Sequence, residues 1–384
     1  MYQFDQVIDR RNTGSLKWDV KENELPMWVA DMDFPTAPEI VEAITQRAAH
    51  GIYGYATEDT RWAGAYCDWW NRRHGLNLQE DWLVFVTGVV PALSAMIRKL
   101  STPGENVVVM TPVYSCFFNC ILNNGRNALE SRLHYENGCY SIDFEDLEKK
   151  LQDKQTRILL LCNPHNPTGN IWDRETLLRI GEMAIANDVL VISDEIHCDI
   201  TLPGKEYVPF ASVSKECSMH SVTCVAPTKT FNIAGLHTAA VFTENPHLRH
   251  KVWRGINTDD VGEGTIFSYM ASTIAFEKGE PWLTELNQYL SENRHLAEEF
   301  IDTQIPSLYM VRGEATYLGW IDIRKTGKNA EELSAFLREK TGLFLSSGAG
   351  FRGDGDNFLR LNLACPRVTL QDGLERLKKG IALL

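Results

Sequence analysis

The sequence predicts an α/β protein with a large domain built on a mostly parallel sheet and a second, smaller α+β domain. Three observations lead to this fold class. Short apolar runs alternate with segments of helical period between residues 80 and 245. Both ends of the chain lack that alternation. The chain has 384 residues, and because one domain usually spans ~100–200 residues, this length favours two domains.

The predicted strands are short and almost continuously apolar. Such runs are typical of strands that are buried on both faces of a parallel sheet. Strands that alternate with helices in this way predict an α/β layer architecture. The predicted strands are Leu83–Thr87, Val107–Met110, Arg157–Cys162, Val189–Ser193, Ser221–Val225 and Thr238–Phe242.

Helix signals lie between and beside these strands. The pattern predicts helices over Pro91–Leu100 and Arg174–Asn187, and Asp173 is the expected N-cap of the second. Another helix is expected to begin near Pro38 and to stop at Gly51, since proline favours the first turn of a helix and glycine its end.

The C-terminal third of the chain predicts the smaller domain. A long amphipathic helix is expected after residue 280, followed by strands near Tyr317–Ile323 and Phe358–Leu363 and a last helix over Thr369–Leu384. There is no repeat and no low-complexity linker in the sequence. We therefore expect a large domain of residues 46–275, packed closely against a small domain of residues 1–45 and 276–384.

Charge and composition narrow the class of function. The 38 Lys and Arg residues and 51 Asp and Glu residues give a net charge of −13, whereas nucleic-acid binding requires clustered positive charge. No nucleic-acid partner is therefore expected. We expect neither a secretory signal, because the N-terminal residues lack an apolar core, nor a membrane span, because every apolar run is far shorter than ~20 residues.

The nine cysteines are scattered along the chain without any C-x-x-C pair. Zinc sites usually draw their ligands from closely spaced Cys and His residues, so no metal is expected. Unpaired cysteines are typical of reducing compartments. The sequence therefore predicts a cytoplasmic protein with reduced thiols.

The residues that could bind a ligand or take part in catalysis follow the predicted strands. The carboxyl ends of parallel strands meet at one edge of a sheet, where ligands usually bind. Gly88, Val89 and Val90 follow the first strand at the start of a helix, a place that suits a phosphate but also fits an ordinary turn. After the third strand, two Asn-Pro pairs in NPHNPTG predict an extended loop that fixes Asn166.

Two charged residues end the next strands. Asp194 closes a buried apolar strand, which is costly unless a positive group meets the carboxylate. A protonated heterocyclic nitrogen or the cation of an internal salt bridge would be such a positive group. A histidine such as the nearby His197, taken alone, is more often structural than catalytic. Lys229 lies among apolar and hydroxyl residues, where a lysine loses its proton more easily and can form a Schiff base. A surface-loop lysine is the alternative.

A lysine, an aspartate, an asparagine and a phosphate turn at strand ends are the set that pyridoxal phosphate requires. With these residues the chain resembles the fold-type I enzymes of the class I/II aminotransferase superfamily, and within it the MalY/PatB-type cystathionine β-lyases (C–S lyases). The resemblance implies a seven-stranded sheet in the large domain. It is carried by LPMWVADMDFPTAPEI, GIYGYATED, NPHNPTG, SDEIHCD, TKTFNIAGL, GEPWL and FLRLNLACPR, which extend over residues 25–367.

The resemblance implies a role for each matching residue. Lys229 would hold the cofactor and move the substrate Cα proton, Asp194 would pair with the pyridine nitrogen, and Arg360 would clamp the substrate α-carboxylate. Asn166 would contact the phenolic oxygen of the ring and the substrate. The other implied cofactor contacts are Gly88, Val89, Val90, Tyr114, His197 and Thr228. Tyr55 would reach the site of the neighbouring subunit, in a homodimer with shared active sites.

Three positions depart from the family pattern. The family usually has Ser-x-Ser-Lys, whereas this chain has Ala226-Pro227-Thr228-Lys229, so Thr228 can offer a hydroxyl to the phosphate and Ala226 cannot. His197 stands where aminotransferases carry tyrosine, in agreement with the lyase subgroup. Asn170 replaces the basic residue that is common after NPTG.

The implied reaction is α,β-elimination, in which L-cystathionine or a related cysteine S-conjugate gives pyruvate, ammonia and a thiol. An aminotransferase would use the same residues, and only the resemblance favours elimination over it. A further alternative is a regulatory protein that binds a transcription factor in addition to catalysis, a role found on the MalY side of the family. Lys229, Asp194 and Arg360 together argue against a purely regulatory chain.

Overall fold

The structure is a computed structural model that describes residues 2–384. No helix within these residues combines the length and the apolar character that crossing a bilayer requires. The helices are α1 (Pro38–Ala49), α2 (Trp62–His74), α3 (Val89–Leu100), α4 (Cys116–Leu122), α5 (Phe144–Leu151), α6 (Arg174–Ala186), α7 (Lys215–Met219), α8 (Pro227–Thr230), α9 (Pro246–Thr258), α10 (Ile266–Lys278), α11 (Glu280–Gln304), α12 (Ala330–Thr341) and α13 (Arg367–Ile381).

The strands form one large sheet and three smaller ones. They are β1 (Leu25–Pro26), β2 (Leu83–Val86), β3 (Asn106–Thr111), β4 (Asn127–Arg132), β5 (His134–Glu136), β6 (Cys139–Ser141), β7 (Thr156–Cys162), β8 (Leu190–Asp194), β9 (Ser221–Val225), β10 (Ala239–Phe242), β11 (Tyr309–Met310), β12 (Leu318–Asp322), β13 (Leu343–Phe344), β14 (Ser346–Ser347) and β15 (Phe358–Asn362).

The large sheet has seven strands in the order β2-β10-β9-β8-β7-β3-β4. Strand β10 is antiparallel to both of its neighbours, and the remaining pairs are parallel. The other six strands therefore share one direction, and their carboxyl ends lie at one edge of the sheet. The predicted fold class, with its seven-stranded and mostly parallel sheet, is confirmed.

Both faces of this sheet are buried, which explains the continuous apolar runs. Val107 and Ile158 lie in a core cluster with apolar residues of α3, α4 and α9 on one face. Val108 and Leu159 lie in another cluster with residues of α5 and α6 on the opposite face. Because successive side chains of a strand point to opposite faces, strands β3, β7 and β8 each contribute to both clusters.

Several boundaries differ from the sequence prediction. Helix α3 begins at Val89 rather than at Pro91, which places Val89 and Val90 in its first turn. The edge strand β4 was not predicted, because its sequence NALESR is mostly polar and only partly buried. The predicted N-cap is confirmed, since Asp173 Oδ1 accepts the Thr176 N–H at 2.7 Å. The last helix begins earlier than predicted and ends at Ile381.

The C-terminal third forms an antiparallel sheet in the order β11-β12-β15-β14. Its core also contains Leu25 and Met27 from the N-terminal segment, and β1 pairs with β13. Helix α11 takes part in two cores, with Trp282 in the aromatic cluster around α2 and α10 and Ile301 in the C-terminal core. The division between residues 275 and 276 stays a prediction.

Candidate active site

One cavity of about 190 Å³ lies at the carboxyl edge of the large sheet. Five strands of that sheet, β2, β3, β7, β8 and β9, end beside it. The sequence predicted nine of the residues that line this cavity: Gly88, Val89, Val90, Tyr114, Asn166, Asp194, His197, Thr228 and Lys229. The strand ends therefore gather these side chains as the sheet topology requires.

The N-terminus of α3 borders one end of the cavity. Gly88 is the N-cap, with an extended φ of 173°, and Val89 and Val90 are the first helical residues. The first N–H groups of an α-helix have no partner inside the helix, and they favour a bound anion such as a phosphate. Thr228 lines the same cavity and can add a hydroxyl group.

Asp194 is a buried carboxylate with few partners. It ends β8, is 5% exposed, and its Oδ1 accepts the N–H of Ile196 at 3.2 Å. Burial raises the pKa of Asp194 to about 7, against the smaller opposing effect of that N–H and the charge of Lys229. A cation beside this carboxylate would restore its usual ionisation.

Glu195 is also buried, but groups of the protein donate hydrogen bonds to its carboxylate. Its carboxylate accepts hydrogen bonds from Ser193 Oγ at 2.7 Å, from the Phe210 N–H at 3.0 Å and from the Tyr207 hydroxyl. Glu195 is not among the residues that line the cavity. Of the two adjacent acids in SDEIH, Asp194 is thus the one that faces the site.

Lys229 lies in the short helix α8 and is partly buried. Its Nζ donates a hydrogen bond to the carbonyl oxygen of Ala30 at 2.7 Å. Burial, with a further contribution from the charge of Arg360, lowers the pKa of Lys229 to about 8. At physiological pH a larger fraction of Lys229 than of an ordinary lysine is therefore the neutral amine. This is the form that attacks an aldehyde.

Asn166 and His197 are held close to Lys229. Asn166 lies in the loop after β7, where both Asn-Pro bonds are cis, and its Oδ1 accepts from Arg360 Nη1 at 3.3 Å. Burial lowers the pKa of His197 to about 3, so its imidazole is neutral. Within residues 2–384, His197 Nδ1 has no hydrogen-bond partner. Burial raises the pKa of Tyr114 above its usual range.

Arg360 is a buried cation without a carboxylate partner in the described part of the chain. It is 6% exposed, donates from Nη1 to Asn166 and from Nη2 to the Trp28 carbonyl at 3.1 Å, and leaves Nε without a partner. Burial lowers the pKa of Arg360 to about 10, so it stays charged at neutral pH. An unpaired buried guanidinium is costly, and it is suited to bind a carboxylate in bidentate geometry.

Arg360 does not line this cavity itself but contacts Asn166, which does. Tyr55 lies apart from the cavity. It is fully exposed and lines a second, more open cavity of about 890 Å³, together with Tyr53 and Phe267. Thr87 and His237 line both cavities. Tyr55 is therefore next to the mouth of the site rather than inside it.

Sequence reasoning missed several residues around the cavity. Thr87 and Cys162 end or follow predicted strands, and that position was the signal that could have found them. Ala30 lines the cavity too, but it acts through its backbone carbonyl. A carbonyl carries no sequence signal, so only the folded chain could reveal this contact.

The cavity fits pyridoxal phosphate. It offers helix N–H groups and a hydroxyl for a phosphate, a buried carboxylate that needs a positive partner, and a lysine amine with a lowered pKa. His197 Nδ1 and Arg360 Nε are buried polar atoms that lack partners in the described residues. Such orphaned groups are uncommon in folded proteins and often mark a binding site.

Comparison with known proteins defines the class. The family profile for aminotransferase class I and II matches residues 23–377, which is most of the chain. This protein therefore belongs to the class I and II aminotransferase family.

Individual relatives narrow the assignment within that family. The chain is 42% identical to Cystathionine beta-lyase PatB of Bacillus subtilis (strain 168), over 99% of this chain and 100% of that protein. It is 30% identical to Protein MalY of Escherichia coli (strain K12), over 99% of each chain. The predicted resemblance to the MalY/PatB-type cystathionine β-lyases is confirmed.

A solved structure agrees with this placement. Cystalysin from Treponema denticola, whose crystal structure contains a pyridoxal 5′-phosphate cofactor, superposes with a TM-score of 0.96 at 33% identity. The alignment covers 100% of this chain and 99% of that chain. The two proteins therefore share the whole architecture, including both domains.

Proposed function

We propose that this protein is a pyridoxal-phosphate-dependent C–S β-lyase. Its reaction is the α,β-elimination of L-cystathionine or a related cysteine S-conjugate to pyruvate, ammonia and a thiol. The observation that carries the proposal is that Lys229 and Asp194 line one cavity, whose wall residue Asn166 accepts a hydrogen bond from Arg360, a cation without a carboxylate partner in the described residues. The 42% identity to PatB supports elimination rather than transamination, because that full-length relative is a cystathionine beta-lyase.

Each of these residues has a defined task in the proposal. When bound, pyridoxal phosphate supplies an electron sink for the substrate Cα. Arg360 binds the α-carboxylate and thereby orients the Cα–H bond. Lys229 would hold the cofactor and, as a free amine, would take the Cα proton, and such proton transfer contributes about 10²–10⁴-fold. Asp194 keeps the ring nitrogen protonated through its negative charge.

The remaining cavity residues hold the cofactor in place. The N–H groups of Gly88, Val89 and Val90 and the Thr228 hydroxyl bind the phosphate. Tyr114 would stack on the ring. Asn166, whose Oδ1 accepts from Arg360, would contact the phenolic oxygen, and the neutral His197 would be a further contact of the cofactor.

Product analysis tests the reaction directly. We expect the purified protein to release pyruvate and a thiol from L-cystathionine, L-cystine and S-alkyl cysteines without any 2-oxo acid. Pyruvate is measured with lactate dehydrogenase and the thiol with a chromogenic disulfide. A strict requirement for a 2-oxo acid, with formation of a new amino acid, would show that the protein is an aminotransferase instead.

The proposed active unit is a homodimer with shared active sites. Exposed apolar and aromatic side chains surround the mouth of the cavity, including Ile52, Tyr53 and Tyr55. A contiguous patch of this kind favours a protein interface. Tyr55 lines the cavity that adjoins the cofactor site at Thr87 and His237. A second copy of the chain seated there would bury the patch and receive Tyr55.

Subunit mixing tests this sharing of sites. A homodimer that combines a Tyr55→Phe subunit with an Arg360→Ala subunit has one site with both defects and one with neither. We expect the mixed sample to recover up to about a quarter of wild-type activity, because half of a random mixture is hybrid. Activity no higher than the average of the two parents, with hybrid dimers verified by differential tags, would contradict site sharing.

A reducing, cytoplasmic compartment is part of the proposal. All nine cysteines are free, and seven of them are buried. Persistent free thiols are typical of cytosolic proteins.

A further inference from the structure

Residues 28–32 form a segment, here called the strap, that crosses the active site without regular secondary structure. Its carbonyl groups accept hydrogen bonds one after another. Arg360 Nη2 donates to the Trp28 carbonyl at 3.1 Å, and Asn232 Nδ2 donates to the Met32 carbonyl at 3.0 Å. The strap is therefore tied to residues of both the large and the C-terminal sheet regions.

The middle of the strap receives the catalytic lysine. The Ala30 carbonyl oxygen accepts from Lys229 Nζ at 2.7 Å and from the Tyr317 hydroxyl at 3.0 Å. Tyr317 is buried, Lys229 is partly buried, and both Lys229 and Ala30 line the cavity. Two donors fill the two lone pairs of one carbonyl oxygen, so the position of each donor depends on the other.

Asn362 fixes the peptide groups on either side of Ala30. Its Nδ2 donates to the Val29 and Asp31 carbonyls, both at 2.6 Å, and its Oδ1 accepts the Ala364 N–H at 2.8 Å. Asn362 is 1% exposed. It lies two residues after Arg360 on β15, and side chains two apart point to the same face of a strand. One strand thus carries both the carboxylate clamp and the anchor of the strap.

The contact between Lys229 and Ala30 depends on the state of the amine. Condensation of the neutral amine with an aldehyde forms a C=N bond, and both amine hydrogens leave in the water that is released. The nitrogen then has no hydrogen for the Ala30 carbonyl. When a substrate amine takes its place on the cofactor, Lys229 recovers both hydrogens and can donate again.

We propose that the Ala30 carbonyl holds the free amine of Lys229 during each turnover and that Tyr317 and Asn362 are positioning residues for Cα proton transfer. This inference rests on the proposed role of Lys229. When the amine donates one N–H to Ala30, rotation about its Cε–Nζ bond is restricted, and the lone pair is confined to one of the two remaining positions on nitrogen. Tyr317 and Asn362 set the place of the acceptor, and through it the direction of the lone pair toward the substrate.

Exchange of the Cα hydrogen of L-alanine in deuterium oxide tests this inference. L-alanine has no leaving group on Cβ, so its exchange, followed by NMR with the holoenzyme, reports proton transfer alone. We expect Tyr317→Phe to slow exchange by about 2- to 10-fold, the effect of one neutral hydrogen bond. The visible absorbance of the bound cofactor and the dissociation constant of L-alanine stay unchanged. Exchange at the wild-type rate would overturn the proposal.

Two further variants sharpen the result. Tyr140→Phe also removes a buried hydroxyl, which donates to Asp354 far along the chain from the strap, and it is expected to exchange at the wild-type rate. If Tyr140→Phe slows exchange as much as Tyr317→Phe does, the slowing results from general destabilisation of the protein. That result would overturn the proposal. Asn362→Ala removes both hydrogen bonds to the strap, in addition to the one from the Ala364 N–H, so exchange should slow by about 4- to 100-fold.

The outcomes separate this inference from the proposed function. If Asn362→Ala does not fold, Tyr317→Phe and its control decide the question alone. If the wild-type protein itself exchanges no Cα hydrogen and releases no pyruvate from cysteine S-conjugates, the proposed function fails first. If wild type does both and Tyr317→Phe matches it, only the role of the strap fails.

Discussion

Replacement of Lys229 by alanine is expected to lower β-elimination by at least about 10³-fold, since it removes both the covalent anchor of the cofactor and the base. The native side chain is suited to both tasks: it lines the cavity, its pKa is lowered to about 8, and its Nζ lies 2.7 Å from the carbonyl oxygen of Ala30. Pyruvate release measures the loss of activity. Borohydride reduction followed by mass spectrometry measures the loss of the covalent link.

The matched control is Lys205→Ala. Lys205 is an exposed lysine that pairs with Glu314 on the surface, away from the cavity. Such surface pairs contribute little to stability, so this variant should keep wild-type activity and the reducible link. A Lys229→Ala protein that still carries cofactor on a lysine would show that another residue forms the bond. Normal turnover by that variant would remove Lys229 from the mechanism.

The positions of the cavity residues were largely predictable because topology fixes them. A parallel sheet brings its carboxyl ends to one edge, so residues that follow apolar runs in the sequence meet in space. Asp194 and Lys229 are 35 positions apart along the chain, yet they line one cavity because β8 and β9 are adjacent. The apolar runs themselves were visible because both faces of the sheet are buried.

Other features were not predictable from local pattern. Strand β4 has a polar sequence because it lies at the edge of the sheet, so pairing with β3 rather than apolar periodicity defines it. The strap depends on backbone carbonyls, which every residue has. Its hydrogen bonds join positions about 200 to 330 residues apart and exist only once both sheets are in place.

Replacement of Asp194 by asparagine is expected to change activity and stability in opposite directions. Asparagine keeps the size of the side chain but removes the charge that holds a proton on the ring nitrogen. Removal of one preorganised electrostatic group at a reacting centre typically costs about 10²–10³-fold. We therefore expect kcat for pyruvate release to fall by this factor. Unchanged kcat would mean that the electron sink does not depend on Asp194.

In the cofactor-free protein, Asp194→Asn should increase the stability of the fold. Burial raises the pKa of Asp194 from 3.8 to about 7, so the folded state binds this proton more tightly than the unfolded state does. The free energy of unfolding therefore decreases as pH rises from about 4 to about 7, by about 4 kcal/mol in total. Asparagine has no proton to lose. At pH 8 the Asp194→Asn apoprotein should thus unfold at a temperature about 5 °C higher than the wild-type apoprotein.

The pH and cofactor dependence of that difference identify its cause. The gain should shrink as pH falls below about 7 and vanish near pH 4, where wild-type Asp194 is protonated in both states. The gain in stability should also vanish or reverse when pyridoxal phosphate is bound. The protonated ring nitrogen then stabilises the carboxylate of wild-type Asp194, and asparagine has no charge to pair with it. Glu195 is buried in both proteins and cancels from the comparison. A gain that persists unchanged at pH 4 would arise from packing, and would contradict the pairing of Asp194 with the cofactor as the reason for its burial.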